Sequence, residues 1–435
     1  MSKNKKIILL FFILATGVFA RWQAVSWNKY THGDVSQYSE VSESLAKHHD
    51  TRMNYSEGEL YFYSIKEKGG KYYDMYPLLP FLGAVLVKIM GISGYAAVKI
   101  WTFLSGILII FLTYFLGKKI GGEKVGLLSA ALVSVSYLLI DFSGNGSIYS
   151  LQTVFYLFFL IILLNLKKIS DNVFLGVIIG LAVLTNYQSI ILLPVYLIFL
   201  FVLFKNDFAK ILKWFFSGFA TAALVYLPWG VRNFLLFRDP FFSIMPLYYW
   251  QKLGVKKMII GDMIVYKPSL RDYFEVIKKT AFFWFPHNLY FINRKLFIFA
   301  PFSYVFFLFS AVETVFLWSF EKIKNLLPIF LIFIFQIVSG AVVPIFETRH
   351  FVPLMPFVFI LSSYYIFNFI GSRVLQKIIW VFAVFATIIF SVLTYFSTPT
   401  HTYYYDGSIT ESVFGKDGGG ELRFLKIYYP NALKN

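Results

Sequence analysis

The stretch that decides the fold is residues 95–117, YAAVKIWTFLSGILIIFLTYFLG. It is almost continuously apolar, and at about 1.5 Å of rise per residue a helix of this length crosses the ~30 Å hydrocarbon core of a bilayer. Similar runs recur throughout the chain, which is 58% hydrophobic, 21% aromatic and only 14% charged. Soluble domains carry about 25% charged residues. The sequence therefore predicts an all-α polytopic membrane protein.

Eleven apolar runs are long enough, or nearly long enough, to form transmembrane helices. They lie at about 7–25, 95–117, 125–142, 148–166, 173–187, 188–204, 212–229, 296–318, 326–345, 351–370 and 378–397. The fifth and sixth are short and are divided by TNYQS, so one re-entrant hairpin is the alternative for that pair. The first run resembles a signal peptide cleaved after Ala20, but it continues to about Val25, which favours an uncleaved span.

Positive charge alternates from one side of these runs to the other. Lysines follow the second, fourth and sixth runs, whereas the loops DFSGNGS and TNYQS carry no cation. The positive-inside rule then places the N-terminus in the cytoplasm and the protein in the cell membrane as a multi-pass protein. The transmembrane domain spans 1–397, with two long outer loops at 26–94 and 230–295. A short extracytoplasmic tail, 398–435, completes the chain.

The outer loops contain most of the polar residues. Within them, residues 34–48 and 270–283 have the amphipathic pattern of helices that lie in the membrane interface. The cytoplasmic loops are too short for a nucleotide-binding domain, and no phosphate-binding glycine loop occurs. The net charge of +17 is explained by the cytoplasmic lysines, so nucleic acid is not an expected partner. The absence of cysteine excludes disulfides and thiolate metal sites.

Three acids at predicted outer positions are candidates for catalysis. Asp34, in HGDVSQY directly after the first span, is placed to act as a general base or to cap the helix that begins there. Asp74, in KYYDMYPLLP, is a second candidate acid or a solvated loop residue. Asp141, in LLIDFSGNGS, is expected in a loop between two spans, as a functional group or a plain interfacial acid.

Two basic motifs offer candidates for binding a phosphate. Arg349, in PIFETRHFVPLMP, has the geometry to hold a lipid-borne phosphate with Glu347 and His350 beside it. An internal Glu347–Arg349 pair is the alternative. Arg232 and Asn233, in PWGVRNF, form a second candidate, unless Arg232 only extends towards the headgroups. The histidines show no zinc spacing, so no metal ligand is assigned and no cofactor is predicted, although a loosely bound divalent cation stays open.

In their order along the chain, these segments resemble the GT-C superfamily of integral-membrane glycosyltransferases. The resemblance is to the branch of dolichyl-phosphate-mannose protein mannosyltransferases and bacterial aminoarabinose transferases. It is carried by HGDVSQY, YDMYPLLPFLGAVLVKIMG, LPWGVRNFLLFRDPFF and FETRHFVPLMPF, over roughly residues 7–370. The chain departs from the family at Met75 and Tyr76, where many members have Lys and Pro. The segment SGNGSIY also lacks the Glu and Arg that relatives carry there.

The resemblance implies a reaction and a set of site residues. A hexose or pentose would move, with inversion, from a polyprenyl-phosphate donor to a hydroxyl of a lipid, protein or polysaccharide acceptor on the outer face of the membrane. Asp34 would be the catalytic base and Asp74 would match the family's second acid, with Asp141 as a stand-in in the next loop. Arg349 would hold the carrier phosphate, and Lys71 would replace the missing lysine of the family.

Two other classes of protein compete with this interpretation. A polytopic transporter or lipid flippase would show inverted repeats and a polar site at the membrane midplane. The sequence shows no duplicated halves, and its polar residues gather outside the spans. An assembly protein whose loops only dock partners is the third class. Replacing Asp34 distinguishes the enzyme from both.

Overall fold

The structure is a computed structural model that describes residues 2–27, 33–53, 63–65, 70–72, 75–205, 207–242, 270–316, 320–341 and 348–397. These residues are almost entirely helical, which confirms the predicted all-α class. The helices are α1 (Lys3–Trp27), α2 (Gly33–His48), α3 (Leu78–Met90), α4 (Gly94–Gly121), α5 (Glu123–Val135), α6 (Tyr137–Gly144), α7 (Ile148–Leu163), α8 (Ile169–Thr185), α9 (Leu192–Phe204), α10 (Phe208–Phe237), α11 (Leu270–Lys279), α12 (Phe285–Phe299), α13 (Pro301–Phe316), α14 (Phe320–Ala341), α15 (Met355–Asn368) and α16 (Arg373–Ser397).

Most of these helices have the length and composition of membrane spans. Within the described ranges, seven helical segments are long and apolar enough to cross a bilayer, or nine if each of two bent pairs is one span. Three shorter apolar helices, α3, α7 and α8, add to them. Each of the eleven predicted runs falls on a helix, so the multi-pass character is confirmed. The number of crossings stays a prediction.

Two of the predicted spans are bent rather than straight. α5 and α6 meet at 60° across Ser136, whose backbone is extended (φ −72°, ψ 117°). The segments Asn288–Phe297 and Pro301–Thr314 meet at 119°, next to a proline that cannot continue the hydrogen-bonding of the preceding helix. Hydropathy does not reveal the break at Ser136, because the residues on both sides of it are equally apolar.

The central helices differ from the peripheral ones in how much of their surface is buried. Nearly every residue of α5 and of the first half of α15 is buried, and these helices lie in the core with α4 and α7. In contrast, α1, α10 and α16 expose large apolar side chains such as Phe11, Phe219 and Phe385. A helix that is apolar all round is expected in the middle of a membrane bundle, and exposed apolar faces are expected at its lipid-facing rim.

The first outer loop contains more structure than the sequence predicts. The amphipathic segment 34–48 forms α2 as expected. It is followed by three short antiparallel strands, β1 (Arg52–Met53), β2 (Tyr63–Ile65) and β3 (Gly70–Tyr72), in the order β1–β3–β2. Strands of two or three residues are too short to leave an alternating pattern in the sequence. The loop ends in α3, which stops at Gly91 in the left-handed conformation (φ +66°).

The second amphipathic segment is likewise helical. It forms α11 and continues through a π-helical turn, Thr280–Trp284, into α12. Two 3₁₀ segments, Tyr187–Ile191 and Thr348–Leu354, precede α9 and α15. The predicted tail 398–435 lies outside the described residues.

Candidate active site

The first candidate acid stands on a helix that is buried on a wide face. Asp34 is the second residue of α2, in the first turn, where the helix dipole favours a carboxylate. The buried residues of α2 are Val35, Gln37, Tyr38, Val41 and Ser42. At about 100° of rotation per residue, position 34 falls in the middle of the face that these residues define.

The C-terminal half of α2 is attached to the start of α4. The amide of Gly94 donates to Oε1 of Glu43 over 2.9 Å, and Nζ of Lys47 donates to Oε2 of the same carboxylate over 2.9 Å. The bond from Gly94, followed by that from Lys47, holds the pKa of Glu43 below its ordinary value because both favour the ionised form. α2 also packs along α3. The helix that carries Asp34 is thus fixed to both neighbours.

The loop between α6 and α7 packs against the start of α2. Gly146 has a left-handed backbone (φ +86°) and lies against the side chain of Val35, where a β-carbon would clash. Glycine is required there both for the conformation and for the space. Gly144 approaches the backbone of Ala24, in the last turns of α1, with no room for a side chain. The loop therefore lies between the end of α1 and the residue that follows Asp34.

The same loop leads directly to the basic candidates. Tyr149, three residues after Gly146, has its ring centroid 5.9 Å from the guanidinium carbon of Arg349. The ring of His350 meets Tyr149 edge-on, with 5.8 Å between the centroids. Both basic residues are partly buried in the 3₁₀ segment before α15. The structure thus brings the RH of the FETRH motif to the loop that touches α2. Glu347 lies outside the described residues.

Arg232 and Asn233 lie near the other end of α2. Nη2 of Arg232 donates to Oγ1 of Thr51 over 2.6 Å, and Nη1 donates to Oδ1 of Asn233 over 2.8 Å. The guanidinium also stacks 4.3 Å from the ring centroid of Trp229. Thr51 follows the C-terminus of α2, a helix about 24 Å long. Arg232 therefore anchors the end of α2 opposite to the end that carries Asp34.

Asp141 occupies a different environment from the predicted one. It lies within α6 rather than in a loop, because the helix continues beyond the break at Ser136, and only 1% of its surface is exposed. Its charge interacts with that of Lys99 in α4, which is also buried. Nζ of Lys99 donates to the carbonyl oxygen of Val25 in the last turn of α1 over 2.9 Å. Sequence reasoning missed Lys99, although a lone lysine in an apolar span is itself a signal.

Arg21 is a second buried cation that sequence reasoning missed. It is fully buried in α1, and its guanidinium donates to the carbonyl oxygens of Gly17, Val133 and Ser134 over 3.1 to 3.4 Å. Val133 and Ser134 belong to the last turn of α5, whose carbonyls have no partner within the helix. Arg21 therefore caps α5 where the span bends. Its signal in the sequence is an arginine that interrupts the outer part of the first apolar run.

The remaining predicted residues are only partly covered by the structure. Lys71 lies in the central strand β3, opposite Ser64 and Met53 of the flanking strands. Asp74 lies outside the described residues. Met75, which stands where many GT-C members have lysine, is buried, and its carbonyl oxygen accepts a 3.5 Å bond from the Tyr187 hydroxyl. This position supplies packing in the present chain and no cation.

The part of the chain that the structure describes contains no set of metal ligands. No three His, Cys, Asp or Glu side chains come together there in a way that could hold an ion. The loosely bound divalent cation that the sequence leaves open remains a prediction.

Comparison with known proteins supports the resemblance found in the sequence. Residues 74–231 match the family described as dolichyl-phosphate-mannose-protein mannosyltransferase. No curated protein sequence matches the chain significantly.

Solved structures resemble the chain over nearly its whole length. The archaeal oligosaccharyltransferase AglB from Archaeoglobus fulgidus, in complex with an inhibitory peptide and a dolichol-phosphate, aligns with a TM-score of 0.59 and 17% identity, over 90% of this chain and 55% of AglB. ArnT from Cupriavidus metallidurans aligns with 13% identity over 93% of this chain and 75% of ArnT, with TM-scores of 0.54 in the apo state and 0.55 bound to undecaprenyl phosphate. The chain thus spans little more than half the length of AglB.

Both alignments cover nine-tenths or more of this chain, so the likeness concerns the whole helical arrangement and not one motif. The chain therefore has the fold of AglB and ArnT, which are GT-C glycosyltransferases, and its residues 74–231 match the family described as dolichyl-phosphate-mannose-protein mannosyltransferase.

Proposed function

We propose that the protein is a glycosyltransferase that moves a hexose or pentose from a polyprenyl-phosphate donor to an acceptor hydroxyl at the outer face of the membrane. The observation that carries the proposal is the position of the 144–149 loop, the segment that runs from the last residue of α6 to the first turn of α7. Its Gly146 touches the residue next to Asp34, and its Tyr149 touches Arg349 and His350. One short loop thus links a candidate base to a candidate phosphate-binding cation, the two groups that such a transfer requires.

The chemistry assigns one role to each side of this loop. The acceptor hydroxyl oxygen attacks the anomeric carbon of the donor, and the proton of the hydroxyl passes to the Asp34 carboxylate. The bond between the anomeric carbon and the phosphate oxygen breaks, and the polyprenyl phosphate leaves with its electron pair. Arg349 stabilises the charge that develops on that phosphate. Attack opposite to the leaving group inverts the anomeric configuration.

Similar proteins support a lipid-linked donor. The AglB structure contains a dolichol-phosphate and an inhibitory peptide, and one ArnT structure contains undecaprenyl phosphate. A donor of this kind brings its leaving group in the membrane, so the transfer needs no nucleotide-binding domain. Acceptors of lipid, protein or polysaccharide nature all present a hydroxyl to a base at the membrane surface.

The other predicted residues have supporting roles in this proposal. Arg232 and Asn233 hold the far end of α2, while Asp74, Lys71 and Glu347 stay candidates for the donor site. Asp141 acts as the charge partner of Lys99 and not as a reacting group, since it is buried inside the bundle.

The proposal is tested by supplying membranes that contain the protein with a panel of undecaprenyl- and dolichyl-phosphate-linked hexoses and pentoses. We expect at least one donor to release free polyprenyl phosphate faster than in membranes that lack the protein. The glycan species lost from cells without the protein then identifies the acceptor. Transport of a lipid across the bilayer with no release of polyprenyl phosphate would support the flippase class instead.

The proposed orientation places the N-terminus in the cytoplasm and the active site outside. Because the chain has no cysteine, single cysteines report on it without background. We expect a membrane-impermeant maleimide to label Asp239→Cys in intact cells and to leave Lys168→Cys unlabelled until the cells are opened. Both residues are exposed. The reverse labelling would put the site on the cytoplasmic side.

A further inference from the structure

A buried lysine connects the elements that surround the candidate base. Lys99 is only 8% exposed, yet Nζ reaches the carbonyl oxygen of Val25 over 2.9 Å and interacts with the charge of Asp141. Val25 belongs to the last turn of α1, where the carbonyl oxygens have no N–H partner within the helix. The lysine therefore caps the helix that leads to Asp34 along the chain.

The same lysine lies beside the loop that carries the proposed function. A β-carbon on Gly146 would lie in van der Waals contact with the aliphatic stem of Lys99 and with the side chain of Val98. Gly146 in turn meets Val35, the residue after Asp34. Lys99 thus meets the end of α1 and lies beside the 144–149 loop from a single position on the long helix α4, and its charge interacts with that of Asp141 in α6.

We propose that Lys99 is a positioning residue for the candidate site: by capping α1 from a fixed place on α4, it sets where Asp34 stands relative to the loop that leads to Arg349. This inference rests on the proposed function for its catalytic consequence. A buried charge in a membrane span is costly, so it persists where it has a task. A displacement of about 1 Å at a reacting group costs about 10²-fold in rate.

The choice of variants follows from the pairing. Lys99→Met alone would leave the Asp141 charge buried without its partner, which destabilises the fold. In the double variant Lys99→Met/Asp141→Asn both charges are removed, and replacing a whole buried pair by neutral residues is often neutral for stability. The single variant Asp141→Asn removes the charge partner but keeps the bond from Lys99 to Val25 and leaves an amide oxygen that can accept from the lysine, so it separates the cap from the charge pairing. Lys88→Met, on the exposed end of α3, is the matched control.

The first measurement is structural and does not depend on activity. Nitroxide labels on Gln23→Cys in α1 and Lys167→Cys after α7, both exposed, report the distance between the end of α1 and the core. We expect the double variant to broaden or shift this distance distribution, measured by pulsed electron paramagnetic resonance. Asp141→Asn, Lys99→Arg and Lys88→Met should retain the distribution of the parent. An unchanged distance distribution in the double variant would contradict the proposed role of Lys99 in holding the end of α1.

The second measurement separates positioning from binding. With the donor found in the panel assay, we expect kcat of the double variant to fall about ten-fold or more, with KM for the donor unchanged. Lys99→Arg and Asp141→Asn should keep kcat within about two-fold. An equal loss in Asp141→Asn, or a kcat unaffected in the double variant, would overturn the positioning role. If the distance changes but no donor is ever turned over, Lys99 holds the end of α1 as proposed, and the proposed glycosyltransferase function is wrong.

Discussion

Asp34→Asn is expected to reduce glycosyl transfer by about 10²–10⁴-fold, the usual contribution of a general base. The substitution keeps the size and the polarity of the side chain but removes the group that accepts the proton of the acceptor hydroxyl. Because the amide still suits the first turn of α2, the protein should fold as the parent does. The measurement is the rate of polyprenyl phosphate release in membranes with equal amounts of folded protein.

A matched control exists just after the C-terminus of α10. Asp239 is exposed, and its Oδ1 accepts a bond from the amide of Phe241, a contact that asparagine can also make. We expect Asp239→Asn to transfer sugar at the parental rate and to unfold at the parental temperature. Transfer by Asp34→Asn within a few-fold of the parental rate would remove the proposed mechanism.

Arg349→Ala is expected to weaken binding of undecaprenyl phosphate by about ten-fold or more. A hydrogen bond to a charged group contributes about 1.5–3 kcal/mol, and each 1.4 kcal/mol is a factor of ten in affinity. Binding of the free lipid phosphate to the purified protein measures this without knowledge of the sugar. Arg349→Lys should fall between the parent and Arg349→Ala, because it keeps the charge but loses the planar fork.

The control for this prediction is a cation that the charge pattern predicts on the cytoplasmic side. Arg373 is exposed at the start of α16, and we expect Arg373→Ala to bind undecaprenyl phosphate as the parent does. Equal affinity of Arg349→Ala and the parent would assign the phosphate to another cation, and the same assay on Arg232→Ala then tests the alternative near Thr51. The expression levels of all variants should be similar, because none of the three arginines is fully buried.

The two predictions concern residues that are remote in sequence but linked by one loop. Asp34 and Arg349 are connected through Gly146 and Tyr149, which are only three residues apart. A loop pinned by a left-handed glycine on one side and by an aromatic contact on the other is well suited to hold two reacting groups at a set separation. This arrangement explains why a segment that lacks the family's Glu and Arg still lies at the centre of the candidate site.

Several site features were outside the reach of the sequence for a physical reason. The break at Ser136 leaves no trace in hydropathy, so Asp141 was expected in a loop and is buried in a helix. The apolar run around Lys99 predicts a span whether or not a lysine interrupts it, so hydropathy does not single out this residue. Arg21 was counted as part of a span for the same reason. In each case the deciding contacts join residues that are far apart along the chain.

The amino-acid sequence alone establishes that this is a membrane protein and which of its segments form helices. Runs of apolar residues long enough to cross a bilayer require helices, because a backbone in hydrocarbon must satisfy its own hydrogen bonds, and the amphipathic period of 34–48 requires a helix at an interface. Only the tertiary structure decided which charges meet. The pairing of Lys99 with Asp141, the cap that Arg21 forms on α5 and the contacts of the 144–149 loop depend on how the helices pack, which no local pattern specifies.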